Sequence, residues 1–278
     1  TTLLPGLFDA AVRNIGRGQP DLALYEVGQV FRELAAPVAP APTPSVLDRP
    51  TYEQVAALNA TLPEQPRRVA GVLTGLREPA GVAGGSGTPG RPADWADAVA
   101  AAQAVARAAG VEIVVTADEH APWHPGRCAA LHVDGELAGH AGELHPRVVT
   151  NLGLPERAAA FELSVEVLIA AALRRGPAAA PVVSPYPPAD RDVALVVDAA
   201  TPVADVSAAL RDGAGDLLES LTLFDVFEGA QIGAGRRSLA FGLRLRATDR
   251  TLTADEANGA RDDAIAEATR RTGAALRN

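Results

Sequence analysis

A chain of 278 residues that is 47% hydrophobic and 21% charged can bury a full core, which excludes global disorder and favours two units over one. Its formal charge of −9 excludes binding to nucleic acid through bulk electrostatics, so an RNA contact would need a local patch or a larger assembly. The single Cys128 excludes an internal disulfide and suits a reducing compartment. Met and Lys are both absent, every basic residue being Arg. With no signal peptide and no long apolar span, the chain is expected to be an interior or C-terminal piece of a longer cytosolic protein. Residues 187–278 hold 11 Arg against 15 Asp and Glu, and the remainder 14 against 19, so neither half is a basic module.

Residues 1–14 predict a loop entering a short helix after Pro5-Gly6, with Leu7, Ala10, Ala11 and Asn14 at helical spacing. The run DLALYEVGQVF over 21–31 predicts a buried strand and RVAGVLTGL over 68–76 a second core strand. Between them, 36–50 is rich in Pro and Ala and reads as a connection. Gly84, Gly85, Gly87 and Gly90 mark a mobile loop over 78–92. Asp94 is a suitable N-cap for a helix through Ala109 that stops at Gly110. A strand over 111–116 follows, then a hairpin, 127–133 and 136–142, around Asp134-Gly135. A strand over 158–163 and a helix capped by Ser164 and running through Leu173 complete an antiparallel sheet flanked by helices. This α+β unit spans 1–175, and the five prolines of 176–188 make a linker.

The second unit, 189–278, opens with a strand over 192–197. A helix follows with Thr201 as N-cap and Pro202 in its first position, presenting Val203, Val206 and Leu210 on one stripe. Residues 221–227 alternate as a strand, Gly229, Gly233 and Gly235 turn the chain, and 238–246 alternates again. In that last run Leu239, Phe241, Leu243 and Leu245 share one face, and Ser238, Ala240, Gly242, Arg244 and Arg246 share the other. Thr253 and Glu256 form a capping box for a helix that carries Ala257, Ala260, Ala264 and Ala268 inward, and 274–277 reads as a short last strand. The order β-α-β-β-α-β predicts a ferredoxin-like fold with both helices on one sheet face and the small, basic face left open.

The segments LLPGL (3–7), LALYEVGQVF (22–31), HPGRCA (124–129), GELHP (142–146) and LGLPERAAAFEL (152–163) occur in that order. RDVALVVD (191–198), LFDVFEG (223–229), GRRSLAFGLRLRATDRTLT (235–253) and ARDDAI (260–265) follow. Through them essentially the whole chain resembles the C-terminal part of the β subunit of bacterial phenylalanyl-tRNA synthetases. The resemblance implies a class II synthetase-like, non-catalytic module over 1–175 and a ferredoxin-fold anticodon-binding domain over 189–278. It further implies a cytoplasmic (αβ)2 assembly without membrane contact, whose partners are a catalytic α subunit and tRNA(Phe). ATP and Mg2+ are then used by the whole assembly, and neither a cofactor nor a metal is expected on this part. In agreement, the chain lacks the arginine-bearing motif GxGxGxER with which class II enzymes handle ATP. The proofreading and magnesium-binding regions of the family lie upstream of the matching segments.

On the open sheet face, Asp225 and Phe227 sit two apart on one strand, and Ser238 starts the facing strand. A carboxylate can accept N1–H and N2–H of guanine, and an aromatic ring offers an unstacked base a platform. Phenylalanine anticodons begin with G, so the resemblance implies that Asp225 and Ser238 bind that guanine while Phe227 stacks on it. The family tends to carry Tyr at this last position, and Phe227 lacks the hydroxyl. Arg236, Arg237, Arg244 and Arg246 are candidates for phosphate contacts, with Arg191 and Arg250 as outer ones, and the alternative is a solvated row of edge charges.

The Gly233–Gly235 turn precedes a strand rather than a helix and is no phosphate cradle. His120, His124, Cys128 and His132 recur every fourth residue, but Pro122, Pro125 and Gly126 break any helix that would align them as metal ligands. Burial explains Cys128 equally well, and the HPGR and ELHP segments are expected to shape loops against α. Two other functions stay open: a small-ligand regulatory domain of ferredoxin-like fold that dimerises on binding, and a hydrolase built on the His-rich region.

Overall fold

A computed structural model describes residues 1–32, 40, 43–80, 89–177, 180 and 184–277, and the chain divides into two compact units, Thr1–Ala179 and Ala180–Asn278. Parts of the expected 36–50 connection, the 78–92 loop and the 176–188 linker lie outside the described residues.

The first unit begins with α1 (Leu4–Ile15), which carries a proline in its first turn, where the missing N–H has no helical partner to lose, and buries Leu4, Leu7, Phe8 and Ala11. There follow β1 (Leu22–Gln29), α2 (Tyr52–Asn59), β2 (Arg67–Thr74), a small ribbon of β3 (Leu76–Glu78) and β4 (Arg91–Pro92), and α3 (Trp95–Ala108). Next come β5 (Val114–Asp118), β6 (Trp123–Val133), β7 (Glu136–Leu144), α4 (Pro146–Leu152), β8 (Ala159–Ser164) and α5 (Val165–Arg175). Six strands form one antiparallel sheet in the order β1-β2-β8-β7-β6-β5. Its two faces support two separate cores. Val69, Leu73, Leu131, Val133, Phe161 and Leu163 face α3 and α5, whereas their alternates Ala70, Val72, Cys128 and Ala160 face α1 and α4. That is why β2 reads as an unbroken apolar run. Gly71 lies opposite Phe161, and a Cβ there would sit 2.4 Å from the ring.

Two local signals hold as expected. Asp94 caps α3 through the N–H groups of Ala96 and Asp97, and the β6–β7 turn places Asp134 and Gly135 at φ 51° and 82°, the left-handed pair that a two-residue hairpin requires. Others need correction. β1 is not buried: among the described residues it is an edge strand paired only with β2, and Tyr25 is 77% exposed. Its residues suit a strand, but burial depends on what covers it. The strand expected over 111–116 starts later, because Val111 closes α3 by donating to Ala106 and packs into the core. Ser164 stands at the N-cap of α5 without making a side-chain cap bond. The short α2 was not anticipated, although Thr51 and Gln54 form a full capping box.

The second unit contains β9 (Ala189–Asp198), α6 (Val203–Ala214), β10 (Leu218–Phe227), β11 (Arg236–Leu245), α7 (Ala254–Thr272) and β12 (Ala275–Leu276). Its sheet runs β10-β11-β9-β12, and α6 and α7 pack on one face through a single core, so the expected α+β, ferredoxin-like order holds. Pro202, not Thr201, is the N-cap of α6. Thr253 and Glu256 make the expected capping box of α7, and the Thr253 backbone N–H, followed by Arg250, holds the Glu256 carboxyl down at about 2.

Ala257, Ala260, Ala264 and Ala268 are buried, and the two helices approach so closely that a Cβ on Gly213 would lie 2.7 Å from Ala264 Cα. Gly213→Ala should therefore destabilise the unit by about 1–3 kcal/mol, since backbone must shift. Gly259, exposed in α7 with open space around it, should stabilise by about 0.5–1 kcal/mol when changed to Ala. Urea denaturation of the two variants checks the opposite signs.

Candidate nucleic-acid interface

Among the described residues of the second unit, helices cover one side of its sheet only. Leu239, Phe241, Leu243 and Leu245 are buried beneath α6 and α7. Residues directly opposite in an antiparallel pair share a face, so the ladder fixes what stands on the uncovered side. Phe227, Ser238, Val196 and Ala275 form one row across it, Asp225, Ala240 and Ala194 the next, and Thr222, Gly242 and Asp192 the third. A bulge in β10 between Leu223 and Asp225 inserts Phe224, whose ring leans toward Gly242 and is 59% exposed. Phe224, Asp192, Ala194 and Ala240 line a cavity of about 400 Å³ at the β9 edge, together with Arg261 and Arg277.

Asp225 is exposed in the row next to that of Phe227. Phe227 is half-buried, its ring folded back over Gly229, where a Cβ would stand 2.8 Å from Cζ. Over the same ring lies the Arg277 guanidinium, 5.4 Å from its centroid, a cation–π contact. Arg277 also donates to Ser238 Oγ at 3.4 Å, and its N–H donates to Ala194 O, extending the short β12 ladder by one bond. Ser238 is thus on the expected face but only 3% exposed, covered by Phe227 and Arg277. Arg277 and Phe224 went unnoticed in the sequence. Pairing the last strand antiparallel beside the first would have placed Arg277 in the Ala194 row, whereas the bulge that presents Phe224 leaves no sequence signal.

The four candidate arginines separate. Arg236 is exposed at the start of β11. Arg237 lies opposite Val197, on the helix side of the sheet, and donates to Thr201 O at the entry to α6. Arg244 pairs with Glu219 at 2.9 Å and reaches Asp190 at 3.9 Å. Arg246 lies 3.1 Å from Glu219 and donates to Ser184 O, its side chain only 18% exposed. The expectation of one basic face fails for Arg237, because strand alternation turns it away, and for Arg246, because its guanidinium holds framework groups. Arg191 bonds Asn258, and Arg250 pairs with Asp249 and Glu256.

In the first unit the histidines make no metal cage: among the described residues no group of three or more His, Cys, Asp or Glu can hold an ion. His120 stacks flat on His140 at 4.0 Å, and His140 Nε2 lies 2.9 Å from Asp118. His124 and His145 each accept a backbone N–H two residues on, from Gly126 and Arg147. Cys128 is buried, which pushes its thiol up, away from the thiolate a nucleophile needs. Arg127 bonds the buried Glu143 at 2.6 Å, and Arg157 approaches it at 3.7 Å, so the HPGR and ELHP segments are tied together.

The family described as "Phenylalanyl tRNA synthetase beta chain CLM domain" matches residues 1–165, and "Ferredoxin-fold anticodon binding domain" matches residues 184–277. Over its whole length the chain is 56% identical to the phenylalanine–tRNA ligase beta subunits of Thermobifida fusca and of Streptomyces avermitilis, covering 33% of each. It is 47% identical to that of Mycobacterium leprae, again over all of this chain and 32% of the relative. The chain thus spans about a third of the length of the curated relatives it matches. The resemblance drawn from the sequence motifs holds, and the second match runs against the small-ligand regulatory alternative. No helix among the described residues is long and apolar enough to cross a membrane.

Burial pulls the His140 imidazole below its ordinary value, with Asp118 opposing that shift. The folded state then holds fewer protons than the unfolded chain between the depressed value and 6.5, so stability rises with pH across that window and is lost on acidification. In an NMR titration His140 should titrate below 6.5, and Asp118→Asn, which removes the opposing charge, should lower it further. A value that rises in Asp118→Asn contradicts this assignment.

Proposed function

Because the chain belongs to the phenylalanyl-tRNA synthetase β-chain family, we propose that it is the C-terminal, non-catalytic part of a phenylalanine–tRNA ligase β subunit that holds the tRNA(Phe) anticodon. Residues 1–175 scaffold the catalytic α subunit, 176–188 link, and 189–278 bind RNA within a cytoplasmic (αβ)2 assembly that consumes ATP with Mg2+. The observation that carries this reading is the helix-free sheet face on which the exposed Asp225 stands in the row next to that of Phe227.

On that face, the Asp225 carboxylate accepts N1–H and N2–H of the first anticodon base, a pattern only guanine offers. Phe227 and the Arg277 guanidinium above it supply the stacking surface. Ser238 joins once Arg277 gives up its hydroxyl. The cavity beside Phe224, floored by Ala240 and Ala194, accepts a neighbouring base. Among the four arginines singled out along β11, Arg236 is available for phosphate, and Arg277 and Arg261 stand nearby. Arg244 reaches RNA only by leaving Glu219, and it stands about 20 Å along the strand from Ser238 at 3.3–3.4 Å per residue. Arg237 and Arg246 hold the sheet to its own framework instead. With so few phosphate contacts on a chain of charge −9, recognition depends on the base.

Asp225→Ala in the intact assembly should lower kcat/KM for tRNA charging by about 10-fold or more, the equivalent of one paired base edge. Phenylalanine activation, followed by ATP–pyrophosphate exchange, should stay unchanged. Equal loss in both assays would overturn the anticodon role of Asp225.

A further inference from the structure

The first unit has a cavity of about 690 Å³, within the range of organic-ligand pockets and independent of the RNA face. Its floor is the sheet face beneath α1. There Glu162 lies opposite His140, and Arg68 stands one alternation along β2 on the same side. We propose that this cavity binds a small organic ligand that combines a planar aromatic ring, an anionic group and an N–H donor.

Three features of the lining specify that chemistry. Arg68 brings a guanidinium to the lining, a fixed positive charge that an anionic group in the cavity would pair with. Arg32, half exposed on the rim and 3.7 Å from Glu64, adds a second positive charge. Glu162 is held by one oxygen only, Oε1, which accepts from Thr2 Oγ1 and the Leu3 N–H at 2.8 Å each. Among the described residues its Oε2 receives no hydrogen bond, so it can accept from a ligand donor. The wall is aromatic: His120 stacks on His140 with 3° between the planes, and Trp123 lies 5.9 Å from His120. A ring set against His120 therefore has a cation at one end and a carboxylate beside it. A purine nucleotide and an aromatic amino acid both answer this description.

Calorimetry on the intact protein, as purified from its host, separates the two sources. AMP presents a ring, an amine and a phosphate; L-tryptophan presents a ring, an ammonium and a carboxylate. Adenosine lacks the anion and inorganic phosphate lacks the ring. The proposal expects saturable binding of AMP or tryptophan at sites that Arg68→Gln weakens at least about 10-fold, as loss of a charged hydrogen bond does. Adenosine and phosphate should bind that class of sites at least about 10-fold more weakly than the complete ligand. Sites that persist unchanged in the variant lie elsewhere in the protein. Leu137→Trp, a substitution of an exposed rim residue, crowds the mouth and should cause the same loss. Binding that is absent for both ligands at millimolar concentration overturns the proposal. So does either variant, folded by its melting curve, binding as the parent does.

Discussion

One constraint organises the second unit: β11 must serve helices on one side and remain free on the other. Leu239, Phe241, Leu243 and Leu245 are used up under α6 and α7, and strand geometry leaves every alternate position outside. Those positions are Ser238, Ala240, Gly242 and Arg244, mostly small, so the face is a shallow floor rather than a packed layer. Two helices joined to four strands in this order cannot cover both sides. The free side is thus a product of topology, and its chemistry is supplied from the edges: Asp225, Phe224 and Phe227 from β10, Arg277 from beyond β12. The close packing of Gly213 on Ala264 serves the same division, because helices that nest tightly complete a core from one sheet face alone.

Charge on this unit is distributed with equal economy. Of the arginines along β11, Arg237 is turned to the helix side by alternation and Arg246 is held by Ser184 and Glu219. Exposed ion pairs of the Arg244–Glu219 kind contribute little to stability. They do keep the edge polar, which discourages pairing with another sheet. Under the proposed anticodon role, such a face is suited to reading a base rather than gripping a backbone.

How much of this was legible in the sequence differs by signal. Hairpin turns, capping boxes and the two-period of β11 are local and were readable at Asp134-Gly135, Thr253–Glu256 and Leu239–Leu245. The burial of β1 was not, since Tyr25 and Val27 suit an edge strand as well as a central one. Within the candidate site, the shared face of Asp225, Phe227 and Ser238 followed from alternation alone. The covering of Ser238 did not, because it is imposed by Arg277, thirty-nine positions on, through the pairing of β12 with β9. The Phe224 bulge likewise depends on register, a property of two strands together.

The first unit solves a different problem, since its central strands meet helices on both sides. Val69 to Leu73 are apolar on either face, apart from the glycine between them. Within that stretch, a slip of β2 by one residue would exchange one greasy set for another, so its own polarity does little to police the alignment. Shape does. The Phe161 ring needs the gap that Gly71 leaves, and every neighbouring position on β2 would fill it with a side chain. A single missing Cβ thus acts as the key that tells this strand which of two chemically equivalent alignments is its own.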